Sequence, residues 1–120
     1  MKKLLHRFKH PLQGLREAFL NDKSFRGQCY LFLFICFGIL AFITELSAWG
    51  ILFLIQAGVL ILITELQNSA LEAALNKLHP ELHDDIKKSK DLAAAAVLVS
   101  GVFLLIVVAV LVADWLLIWS

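Results

Sequence analysis

Apolar and polar positions fall into five stretches along the chain. Residues 1–24 place Leu4, Leu5, Phe8, Leu12, Leu15 and Phe19 three or four apart, with Lys3, Arg7, Lys9 and Arg16 between them. That pattern predicts a helix lying in a membrane interface, apolar side down. Pro11 lacks an N–H and should break or kink it, leaving a short piece before and a better helix over about 12–20. Asn21-Asp22 is the expected turn. Residues 25–44 read as a first span, with no charge from Cys29 to Ile43. Glu45-Leu46-Ser47 with Trp49 makes a tight exit, and Trp49 suits the headgroup layer. Residues 48–75 read as a second span. From Trp49, roughly 16 residues at 1.5 Å each cover about 24 Å, so Glu65 should sit near the far interface and Glu72 about two turns beyond.

Residues 76–91 are polar, and a short helix is expected there. Pro80 is its first position, Glu81 and Asp84 lie near its positive end, and Lys87 and Lys88 toward its negative end. A third span over 92–119 follows. Ala93 to Ala96 and Ser100-Gly101 are small enough for close helix approach. The fold class is therefore an all-α membrane protein, a surface helix plus three transmembrane helices in one domain over residues 1–120.

Composition strengthens this picture. Of 120 residues, 60% are hydrophobic, more than a soluble domain of this size can bury. All eleven Lys and Arg fall in residues 1–28 and 76–91. Both segments are then cytoplasmic and the C-terminus lies across the membrane. No cleavable signal peptide is expected, because an amphipathic stretch follows the basic N-terminus. A net charge of +1 names no partner, and nucleic acid is excluded because no groove-reading motif accompanies the basic residues. Cys29 and Cys36, seven apart on one helix face, read as buried thiols with no metal spacing.

The polar residues at the cytoplasmic edge carry the candidate chemistry. Glu65, Asn68 and Glu72 form one stripe on the second span. A carboxylate in a membrane helix is costly and marks a functional position. Lys90 and Asp91 open the third span, and Asp22 lies at the surface-helix turn. Together Asp22, Glu72, Lys90 and Asp91 suit a magnesium-bound polyphosphate. Magnesium takes one or two carboxylates plus phosphate oxygens, and a lysine offsets charge on the transferring group. No P-loop or protein-kinase motif occurs. The residues alone point to a polar, cytoplasm-facing site at the membrane surface.

Two motifs sharpen that reading. Glu65-Leu66-Gln67-Asn68-Ser69-Ala70-Leu71-Glu72-Ala73 resembles the ExxNSAxEA signature of the small prokaryotic diacylglycerol kinase family. Lys90-Asp91-Leu92-Ala93-Ala94-Ala95-Ala96-Val97-Leu98 resembles its KDxxxAAVL signature. Gly14-Leu15-Arg16 with Phe25-Arg26 is similar to its surface-helix motif, so the likeness covers nearly the whole chain. The resemblance implies a homotrimeric bundle with sites shared between subunits. Mg-ATP would be the donor, with Mg²⁺ as cofactor, and a membrane lipid alcohol the acceptor. It implies Glu65 as catalytic base and Glu72 and Asp22 as metal ligands. Glu81, His83, Lys90 and Asp91 would lie toward the nucleotide, and Arg16, Phe25, Arg26, Glu65 and Asn68 toward the lipid. Asp22 stands where many members have Glu, and Asn76 where an acid is common.

Diacylglycerol at the cytoplasmic face of a bacterial inner membrane is the favoured acceptor, and undecaprenol the alternative within the family. A small proton-coupled transporter built on one membrane glutamate is the alternative from another class. A non-enzymatic subunit is a third reading.

Overall fold

A computed structural model describes residues 1–43, 45–79, 81 and 83–119, and for Trp119 the backbone alone. The architecture is all-helical: α1 (Lys2–Asn21), α2 (Lys23–Phe42), α3 (Ala48–Leu78) and α4 (Asp84–Trp119). The last three are long and apolar enough to cross a membrane. α1 is amphipathic and buries no residue, so its apolar side chains stay exposed, as an interfacial helix requires.

Side-chain caps set the starts of α2 and α3. Between α1 and α2 only Asp22 leaves the helical conformation, at φ −100° and ψ 104°. Its Oδ1 accepts from the Phe25 N–H at 3.1 Å, which fixes the start of α2. Arg26 Nη1 donates to the Leu20 and Phe19 carbonyls at 3.1 and 3.3 Å, satisfying acceptors in the last turn of α1. Ser47 caps α3, its Oγ accepting from Gly50 N–H at 3.1 Å.

Two expectations are corrected. Pro11 does not divide α1, which runs unbroken through it. One proline forfeits a single backbone bond, and on a helix with no buried residue the orphaned carbonyl can meet water or headgroups. Nor is there a separate short helix before the third span, because α4 continues from Asp84 for 36 residues. Asp84 and Asp85 suit the positive end of that long helix. Lys87 Nζ bonds Asp91 Oδ2 at 2.7 Å, and no Gly or Pro interrupts the chain before Gly101. Pro80 and Thr44, placed above at a helix start and at the end of the first span, lie outside the described residues.

The core gathers where α2 ends, α3 begins and α4 runs through its second half: Ile39, Ile43, Leu54, Ala57, Ile61, Leu104 and Val107. Gly58 lies beside this core with the Phe32 ring of α2 across it, so a Cβ there would collide with the ring edge. The core's polar border is Ser100, 7% exposed, whose hydroxyl donates to the Ala96 carbonyl at 2.9 Å. Thr64 Oγ1 approaches Ser100 Oγ at 3.3 Å and joins α3 to α4 one residue before Glu65. The apolar packing thus lies toward the C-terminal end of α2. The opposite end, next to α1, is left for polar side chains.

Candidate active site

That opposite end holds an open polar groove of about 520 Å³. The α1–α2 junction contributes Asp22 and Ser24 to one wall, and α3 contributes Glu65, Asn68, Ser69, Glu72 and Asn76 to the other. The α3 residues share a face because their spacings of three and four follow the helical repeat. A second, mostly apolar groove of about 620 Å³ runs between α1 and α3, lined by Pro11, Gly14, Leu15 and Ala18 opposite Leu66 and Ala70. Asn21, Asp22 and Ser69 border both grooves, which are therefore contiguous.

Glu65 is only 4% exposed and has no hydrogen-bond or ion-pair partner among the described residues. It nevertheless lines the polar groove. A buried carboxylate without a partner is expensive unless a ligand or proton transfer uses it. One turn along, Asn68 Oδ1 is also buried and unpaired, so it can accept from a hydroxyl entering the groove. Glu72 is exposed, and no described residue engages its carboxylate.

Asp22 is anchored. The Ser69 hydroxyl donates to its Oδ2 while its Oδ1 caps α2. Burial pushes this carboxyl up, but hydrogen bonds from Ser69 and from the Phe25 and Ser24 amides outweigh that and hold it below its ordinary value. A carboxyl depressed in the folded state contributes stability above its unfolded pKa and loses it as pH falls through the folded value. In metal-free buffer, the thermal midpoint should therefore fall with acidification below about pH 4. Ser69→Ala should flatten that slope. An identical slope in Ser69→Ala would show that the hydroxyl does not hold the carboxylate.

The donor set fits a magnesium ion shared with phosphates. Glu72 has both oxygens free, and the Asp22 carboxylate keeps acceptor capacity beside its bonds from Ser69, Phe25 and Ser24. Among the described residues no three His, Cys, Asp or Glu side chains gather as a metal cage. The chain would thus supply at most these two carboxylates, leaving positions for phosphate oxygens and water.

The other residues singled out in the sequence divide. Lys90, on α4, meets the edge of the polar groove through a 2.6 Å hydrogen bond to Asn76 Oδ1. Asp91 turns to Lys87 instead. Glu81 and His83 line a separate depression of about 510 Å³ at the α3–α4 connection, where His83 Nδ1 accepts from the Asp85 N–H at 3.2 Å. Arg16 is exposed on α1 and lines neither groove. Phe25, expected toward the lipid, is 5% exposed and packed inside, and Arg26 caps α1. Ser69 and Asn76 were not assigned roles from sequence. Their signal was their position in the same 4-3-4 progression as Glu65 and Glu72.

Fold and site together define a three-span membrane protein with an acid-lined groove opening beside a mostly apolar one. The chain belongs to the prokaryotic diacylglycerol kinase family, whose model matches residues 9–112. It is 33% identical over 109 residues to the diacylglycerol kinase of Escherichia coli K12, covering 90% of this chain and 82% of that one. The diacylglycerol kinase of Haemophilus influenzae is 33% identical over 98 residues, covering 81% and 80%. That of Helicobacter pylori 26695 is 31% identical over 120 residues, covering 99% and 83%. Membership makes this chain a membrane-embedded lipid kinase that uses ATP. The transporter and non-enzymatic readings fall with that finding.

Proposed function

We propose that the protein transfers the γ-phosphoryl group of Mg-ATP to the free hydroxyl of diacylglycerol, forming phosphatidic acid at the cytoplasmic face of the inner membrane. The observation that carries this reading is Glu65, buried and unpartnered, in one groove with Glu72 and Asp22. The contiguous apolar groove can take an acyl chain while its headgroup reaches the polar one. All three relatives named above are diacylglycerol kinases, which favours that acceptor over undecaprenol.

In this reading Glu65 accepts the hydroxyl proton as the lipid oxygen attacks the γ-phosphorus. The new O–P bond forms as the bond to the ADP oxygen breaks. Asn68 holds the headgroup. Glu72 and Asp22 would hold magnesium, which would supply charge to neutralise the phosphates. Lys90 faces the phosphates and offsets charge on the transferred group. Glu81, His83 and Asp91 lie toward the nucleotide, and Arg26 shapes the lipid side by closing the end of α1, while Arg16 and Phe25 line neither groove. The protein acts as a homotrimer with its N-terminus in the cytoplasm and its C-terminus outside. In such an assembly neighbouring subunits cover part of the apolar surface that one chain leaves exposed.

Purified protein offered diacylglycerol and undecaprenol in separate mixed micelles tests the acceptor. Preferential labelling of undecaprenol by γ-labelled ATP would overturn the choice. Glu72→Gln tests the metal site. Its half-saturating magnesium concentration should rise about tenfold, in line with the loss of one charged contact. An unchanged titration would remove Glu72 as a ligand.

A further inference from the structure

Lys90 is half-buried, and its ammonium is held by a neutral group. Asn76 Oδ1 accepts from Nζ at 2.6 Å across the α3–α4 interface. The amide orientation follows from chemistry, since an ammonium can only donate and the atom facing it must be the oxygen. The adjacent carboxylate, Asp91, is committed to Lys87 at 2.7 Å. Among the described residues no carboxylate lies within ion-pair distance of Lys90. Its charge is therefore fixed in place but not neutralised. Asn76 also lines the polar groove, one turn beyond Glu72, and its Nδ2 makes no hydrogen bond to any described residue.

We propose that Asn76 is a positioning residue for the nucleotide: its carbonyl aims the Lys90 ammonium at the groove without neutralising it, and its free amide N–H₂ donates to a phosphate oxygen. This rests on the reading above in which Lys90 faces the phosphates. An uncharged amide can do both jobs from one position through two separate atoms, its oxygen accepting from a cation and its N–H₂ donating to an anion. A carboxylate at position 76 would hold Lys90 as firmly, but it would cancel the charge and face the phosphates with charge of the same sign.

That contrast gives a test that a purely structural tie would fail. Full-length protein in lipid nanodiscs is titrated with Mg-ADP by calorimetry, and the KM for ATP, kcat and thermal midpoint are measured alongside. In Asn76→Asp the midpoint should hold or rise. Nucleotide affinity should fall and the KM for ATP rise by about three- to fivefold, the size an ion pair at a half-exposed position supports. Asn76→Ala should also weaken nucleotide binding, with a lower midpoint. If Asn76→Asp binds Mg-ADP as tightly as the unaltered protein while Lys90→Gln binds it weakly, Asn76 is only a tie between helices and the inference is lost. If Lys90→Gln itself binds Mg-ADP unchanged, the placement of Lys90 at the phosphates is wrong, and the inference falls with it.

Discussion

Glu65→Gln is expected to abolish phosphoryl transfer while leaving the protein folded and able to bind nucleotide. The side chain is 4% exposed and unpartnered among the described residues, so the amide, equal in size, removes a buried ionisable group without opening a cavity. Stability should hold or improve slightly. Loss of a general base costs about 10²- to 10⁴-fold in kcat. The measurement is lipid-dependent phosphate transfer from ATP, with Mg-ADP affinity and the thermal midpoint as controls. Turnover within a few-fold of the unaltered enzyme would strip Glu65 of the role. Loss of ADP binding together with turnover would point to a damaged groove instead.

The largest effect on stability is expected at Gly58→Ala. In most helix interiors this change stabilises by about 0.5–1 kcal/mol, because Gly carries an entropic cost. Here the new methyl group falls inside the edge of the Phe32 ring, and one of the two must move. Overpacking of this kind costs about 1–3 kcal/mol, enough to reverse the sign. α2 should loosen from α3, lowering the thermal midpoint in detergent. Phe32→Ala alone also destabilises by removing the ring. The double variant Phe32→Ala/Gly58→Ala should be more stable than the sum of the two single effects, because the clash has gone. Strict additivity would mean that the ring finds another rotamer at no cost and that the close approach does not hold the helices.

Much of this molecule can be read from local pattern. The apolar runs announce α2, α3 and α4, and Glu65, Asn68 and Glu72 announce the wall of the groove because a helix fixes which residues share a face. Features that depend on other elements are hidden. The Asp22–Ser69 contact spans 47 positions, and no periodicity relates a turn residue to a helix that starts 26 residues later. The continuity of α1 through Pro11 depends on an exposed setting, whereas propensity alone argues for a break. The polar segment before the third span looked like a loop with its own helix because charge changes there. Helical hydrogen bonding does not change with charge, so α4 runs on. Phe25 and Arg26 belong to a motif that suggests lipid contact. Their positions show local work, one packed inside and the other closing the end of α1.

The unbroken course of α4 has a mechanical consequence. Thirty-six residues of uninterrupted helix form a beam about 54 Å long, with Lys90 in its second turn. No Gly or Pro falls between Asp84 and the Ser100-Gly101 pair, so the stretch that carries Lys90 has no helix breaker of its own. α1, in contrast, is joined to the rest through one non-helical residue, Asp22, and carries one side of the apolar groove. In the proposed reading the lipid side thus borders a one-residue joint that is itself tied to Ser69 and to the start of α2, and the phosphate side rests on one long strut.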